Sequence, residues 1–201
     1  MIYLHVIFLI SDVIITPVLI FQQGVNMRKI LVVVDMQNDF VDGVLGSKEA
    51  SEIVDPMCKY LLSFDGEVVF TEDTHFDNYS STQEGRFLPV PHCIKGTKGH
   101  ELHPKLQKIA ELKQSKIFEK TSFGSLELSA YLKSLWDAGE LESIFFTGVC
   151  TDICVISNAL LVKAQIPECP IKLIKDLCAG VSKQKNQSAL DVMQSCQIEL
   201  V

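Results

Sequence analysis

Short runs of Val, Ile, Leu and Phe alternate along most of this chain with segments whose apolar positions fall three and four apart. Ile30–Val34 is a continuous apolar run closed by Asp35, the signature of a parallel strand buried on both faces. Further strands are predicted at Glu67–Thr71, Lys116–Phe118, Ser143–Thr147, Ile171–Lys175 and Gln197–Val201. Helical spacing is predicted over Ser51–Leu62, with Pro56 as an interruption, and over Leu126–Trp136, Asp152–Ala164 and Lys183–Met193. Residues 72–100 are rich in Gly, Pro, His and polar side chains and read as one long loop, a length usually reserved for function. Strand–helix alternation over about 175 residues predicts an α/β fold, three layers α/β/α, with a six-stranded, mostly parallel, Rossmann-like sheet.

The first 26 residues break this pattern. Met1–Phe21 is almost wholly apolar, interrupted by Asp12 and Pro17, and it lacks both the basic start and the small-residue cleavage site of a signal peptide. Met27 stands directly before the first strand. Residues 1–26 are therefore read as an N-terminal extension outside the native start, the alternative being a membrane anchor of about 20 residues. Residues 27–201 are read as one domain. Arg28 and Lys29 would keep that domain cytoplasmic even if the anchor were real.

Composition narrows the function classes. With 47% hydrophobic and 21% charged residues the chain is ordinary for a globular protein, and a net charge of −7 argues against nucleic acid as a partner. Seven cysteines, an odd number with no CxxC pair, argue for reduced thiols and a cytoplasmic location rather than a disulfide framework. No membrane partner is expected unless residues 1–26 are native.

In a parallel sheet, ligands collect beyond the carboxyl ends of the strands. Those ends here carry Asp35, then Asp73 and His75, then Glu119 and Lys120, then Gly148–Cys154. A cysteine in the first turn of a helix, a lysine and an aspartate at neighbouring strand ends could form a thiolate nucleophile with its supporting cation and proton acceptor. Taken singly, each has a bland explanation: a packed thiol, a helix cap, a solvated amine. The coincidence of all three favours chemistry at Asp35, Lys120 and Cys154. The loop adds Asp73, His75 and His92, one carboxylate and two imidazoles suited to Zn²⁺, Mn²⁺ or Fe²⁺, although histidines in a loop also occur without any metal.

Asp35-Met36-Gln37-Asn38-Asp39-Phe40 and Gly148-Val149-Cys150-Thr151-Asp152-Ile153-Cys154-Val155 resemble the two signature motifs of the isochorismatase-like cysteine hydrolases. Asp73-Thr74-His75 and Pro91-His92-Cys93 resemble the metal segment of the nicotinamidases within that family. The resemblance runs from about Lys29 to Val201. It implies a catalytic triad of Asp35, Lys120 and Cys154. It also implies an oxyanion hole made by the backbone N–H groups of Cys150 and Cys154 beside a cis Val149–Cys150 peptide, and substrate packing on Phe40. The implied cofactor is one divalent metal, zinc first and manganese or iron otherwise, held by Asp73, His75 and His92, with Glu84 as a further acid. The sequence departs from the nicotinamidase pattern at Pro89, where a Trp is usual, at Thr74, where an aromatic is usual, and at Cys150.

The function so implied is hydrolysis of a small-molecule amide, nicotinamide, to nicotinate and ammonia through a cysteine thioester, in NAD salvage. The alternatives are a related amidohydrolase acting on another small amide, such as an N-carbamoyl compound, and a non-catalytic binding domain of the same fold. A homo-oligomer is compatible with either.

Overall fold

The computed structural model describes residues 27–201, so the expectations for residues 1–26 lie outside the described residues. Strand β1 (Arg28–Val34) leads through the short helices α1 (Asn38–Val41) and α2 (Lys48–Glu52) and the longer α3 (Val54–Ser63) to β2 (Glu67–Asp73). Then come α4 (Gln83–Phe87), α5 (Pro104–Lys113), β3 (Ile117–Lys120), α6 (Leu126–Asp137) and β4 (Leu141–Val149). The chain ends with α7 (Ile156–Gln165), β5 (Ile171–Ala179), α8 (Lys183–Ser195) and β6 (Glu199–Leu200).

All six strands are parallel, in the order β3-β2-β1-β4-β5-β6. The expected three-layer fold is therefore present. Alternation along β1 decides the layers. Ile30, Val32 and Val34 face one core with Leu128 and Leu132 of α6, Val162 of α7 and Met193 of α8. Leu31 and Val33 face the other, with Met57 and Leu61 of α3 and Leu106 and Ile109 of α5. Both faces are dry, which is why β1 reads as an unbroken apolar run. The strand order reverses between β1 and β4, so the crevice of an open α/β sheet falls at the ends of these two strands.

Some elements differ from the sequence reading. The helix expected over Ser51–Leu62 breaks at Ile53, and α3 restarts so that Pro56 lies in its first turn, where no N–H is needed. Helix α5 was not expected; it starts at Pro104 behind a His103 cap and buries Leu106, Ile109 and Ala110. Residues 72–100 hold a 3₁₀ turn at Tyr79–Ser81 and helix α4, capped by Thr82. Strand β5 runs on to Ala179, past the expected Lys175, and β6 is only two residues long.

Gly148 is required by geometry. Its φ is +118°, and a Cβ there would overlap the Val34 carbonyl on the neighbouring strand. Only glycine lets β1 and β4 approach this closely beside the crevice.

Candidate active site

Asp35 follows β1 directly, is wholly buried and adopts a left-handed φ of +50°, an uncommon state for a residue with a Cβ. Thr71, paired with Val34 on β2, fixes it: the Thr71 hydroxyl donates to Asp35 Oδ1 at 2.6 Å. Lys120, last residue of β3, reaches under β2 and β1. Its ammonium lies 2.7 Å from Asp35 Oδ2, 3.0 Å from Asp73 Oδ1 and 3.6 Å from Cys154 Sγ. The approach to Asp35 Oδ2 is close but poorly directed, so that oxygen has an ion-pair partner and no well-aligned donor. Sequence separations of 85 and 34 residues are thus closed around one buried ammonium.

Cys154 sits in a wide π-type turn, Thr151–Val155, that opens the helical segment after β4, with Val155 N–H donating back to the Cys150 carbonyl at 3.1 Å. Helix was expected there from Asp152; the first turn is looser than α. The Cys154 carbonyl accepts from Asn158 Nδ2 at 2.8 Å, and Asn158 Oδ1 accepts from the N–H of Ser125, the cap of α6. The Val149–Cys150 peptide is cis, as the resemblance implied. Cys150 packs in the core facing α3, whereas Cys154 belongs to the opposite core, so the two thiols point to different sides of the sheet.

The electrostatics follow from burial. Desolvation raises the Asp35 pKa above its ordinary value, with Lys120 pulling the other way. Burial works against the Lys120 charge, but Asp35, Cys154 and Asp73 outweigh it and raise its pKa. Burial and the Asp35 carboxylate push the Cys154 thiol well above its ordinary value, and Lys120 partly offsets them. The ammonium is the fixed charge; thiol and carboxyl are set up to compete for a proton.

The second set of predicted residues also converges. Asp73 ends β2 and His75 follows two residues on, on the same side of an extended segment, with His75 Nε2 3.0 Å from Asp73 Oδ2. His92 Nε2 lies 3.7 Å from Asp73 Oδ2, and Glu84 Oε1 lies 3.6 Å from both imidazole Nε2 atoms. Four donors around one zinc at about 2.0–2.1 Å sit about 3.3 Å apart. The observed spacings bracket that value. His92 Nδ1–H donates to the Val90 carbonyl at 2.8 Å, so its Nε2 carries the lone pair, the tautomer a metal needs. On these observations the residues fit a divalent metal. His75 has its pKa raised to about 9: burial opposes its charge, but Asp73 and Glu84 favour it more strongly. Asp73 is held well below the usual carboxylate range, because its hydrogen bond to His75 and the charges of Lys120 and His75 outweigh its burial.

Asp73 joins the two sets, with Oδ1 on Lys120 and Oδ2 toward the histidines. Several residues that hold this arrangement gave no signal in the sequence reading. Gln37 grips Asp73 by both backbone groups, its Nε2 donating to the carbonyl and its Oε1 accepting the N–H, each at 2.8 Å. Tyr79 stacks edge-on against His75 and His92 at 4.7 and 5.1 Å between ring centres. Phe40, which the resemblance assigned to substrate packing, lies 5.3 Å from the His92 ring. A separate group, Glu72, His100 and Glu119, lies beside the site. There the His100 ring pairs with the Thr74 hydroxyl, and burial and Glu119 push Glu72 up to about 7.

The isochorismatase domain profile matches residues 29–201. The chain belongs to the isochorismatase family. Among curated members it is similar to a nicotinamidase/pyrazinamidase of Mycobacterium tuberculosis, 28% identical over 186 residues covering 85% of this chain and 97% of that protein. Among solved structures of the family it is similar to a nicotinamidase/pyrazinamidase from Bacillus subtilis, with a TM-score of 0.76 and 25% identity, covering 87% of this chain and all of that one. A Pyrococcus horikoshii pyrazinamidase solved in complex with zinc gives a TM-score of 0.69 at 26% identity, covering 87% and 98% of the two chains. No helix among the described residues is long and apolar enough to cross a membrane.

Proposed function

We propose that the protein is a metal-dependent cysteine amidohydrolase that converts nicotinamide to nicotinate and ammonia in cytoplasmic NAD salvage. The observation that carries the reading is the shared Asp73, which sets a four-donor metal cluster against the buried Asp35–Lys120–Cys154 group. The names of the relatives support the same substrate class, and the zinc in the Pyrococcus structure supports the metal.

In this reading Asp73, His75, Glu84 and His92 hold one divalent ion. When bound, that ion supplies a Lewis-acid anchor for a ring nitrogen. Phe40, against His92, would form a wall for the ring. Asp35, made a better base by burial, takes the Cys154 proton as sulfur attacks the amide carbon, and Lys120 stabilises the developing thiolate. The backbone N–H groups of Cys150 and Cys154 receive the oxyanion. The C–N bond then breaks, and ammonia leaves with the proton returned from Asp35. Water, deprotonated by the same carboxylate, hydrolyses the thioester to nicotinate and the free thiol.

The test is ammonia release from nicotinamide by purified protein, with and without a chelator. Turnover that is lost on chelation and restored by zinc, manganese or iron supports the reading. Absence of turnover in metal-loaded protein, or a clear preference for an N-carbamoyl amide, overturns it.

A further inference from the structure

Asp39 lies in the four-residue helix α1, beside neither the thiol nor a metal donor, yet its carboxylate reaches into the loop that carries His92. Asp39 Oδ2 accepts the Cys93 N–H at 2.8 Å. Cys93 is wholly buried and holds a left-handed φ of +45°. Its carbonyl accepts the His75 N–H at 2.9 Å, and the Lys95 N–H returns to the His75 carbonyl at 2.8 Å. One residue, Cys93, thus ties the two histidine segments together, its carbonyl bound to the His75 segment and its N–H held by Asp39. A left-handed residue other than glycine is strained and persists only where its surroundings fix it.

The same Asp39 carboxylate is bounded by Gly99. The Asp39 N–H donates to the Gly99 carbonyl at 3.1 Å, and a Cβ on Gly99 would overlap the Asp39 carboxylate. Gly99 has an ordinary backbone φ, so glycine is needed here for space alone.

We infer that Asp39 is a positioning residue for the metal side of the site: its carboxylate, lodged against Gly99, clamps the Cys93 peptide and so sets His92 in register with His75. The inference rests on the metal reading above. Asp39 touches no metal donor, so it acts through the backbone alone. The requirement is for an acceptor oxygen at that point, which an asparagine amide also offers.

The test compares zinc affinity, by chelator competition, in the wild type and in D39A, D39N, G99A and D39A/G99A. Alkylation of Cys154 is followed in parallel as a check that the rest of the site is intact. D39A and G99A should each weaken zinc binding about 10–100-fold, the usual effect of losing a group that orients a ligand. D39N should stay close to wild type. Because G99A acts by displacing the Asp39 carboxylate, it should cost little in the D39A background; the double variant should bind no more weakly than D39A. Wild-type affinity in D39A, a D39N as weak as D39A, or additive losses in the double variant would each overturn the clamp. If the wild type itself binds no zinc, the metal reading fails, and amide exchange over residues 92–95 then decides the clamp by itself. Faster exchange in D39A and G99A supports it; unchanged exchange refutes it.

Discussion

Replacing Lys120 by methionine keeps most of the side-chain volume and removes the one ammonium that lies between Asp35 and Asp73. Both carboxylates are buried, and removing one partner of a buried ion pair usually costs about 3–5 kcal/mol, because the charge left behind is uncompensated. With a urea slope of about 2 kcal/mol/M, the unfolding midpoint should fall by about 1.5–2.5 M at pH 8. The deficit should also depend on pH. Burial already raises the Asp35 pKa in the folded state, and losing Lys120 raises it further. A carboxyl with a raised folded pKa stabilises the fold fully below its unfolded value and loses that contribution as pH rises through the folded one. Asp73 runs the other way. Its lowered pKa gives stability above the unfolded value that is lost in acid, and the hydrogen bond from His75 preserves part of it without Lys120. K120M should therefore recover part of its deficit between pH 8 and pH 5. Urea denaturation of both proteins in metal-free buffer across that range reads the effect. A midpoint equal to wild type at pH 8, or a deficit that stays flat down to pH 5, would refute the buried-charge reasoning.

Three further outcomes can be checked. C154A should lose at least about 10⁴-fold in kcat with an unchanged circular dichroism spectrum, whereas C150A, whose thiol faces the other core, should keep turning over; the reverse pattern would reassign the nucleophile. E84A should reduce zinc affinity by more than the about 10–100-fold typical of an outer partner, because Glu84 Oε1 stands among the donors; titration against a coloured chelator measures it. G148A combines a positive φ with overlap on the Val34 carbonyl and should destabilise by more than about 3 kcal/mol, which in calorimetry lowers Tm by roughly 6–12 °C or more.

What the sequence disclosed and what it hid have physical causes. The central strands were legible because both faces of β1 are buried, which leaves no polar position to break the run. Strand ends were legible as a group, since the parallel fold dictates where chemistry collects, and this brought Asp35, Lys120, Cys154, Asp73, His75 and His92 forward together. Helix α5 was overlooked although Leu106, Ile109 and Ala110 follow helical spacing behind Pro104: its exposed face is so charged that it blends with the loop before it. Thr71, Gln37 and Asn158 were invisible for another reason. Each is an ordinary polar residue locally, and only the register of β1 on β2, or of α7 against the start of α6, shows which buried group it serves. Glu84 needed the turn at Tyr79–Ser81 and the Thr82 cap before its direction was defined.

The strand order has a bearing on how the protein comes to exist at all. β1 is the first of the described strands to be made, yet its partner β4 begins more than a hundred residues later, and Asp35 has no thiol opposite it until that pairing forms. Closing so long a loop carries a large entropic cost before any contact repays it, which makes such parallel topologies slow to fold. During synthesis, a chain released before Cys154 would expose the apolar edge of β1 to other molecules. The same centrality that gives the site its dry floor leaves the half-made protein with its most apolar strand unpaired on one side.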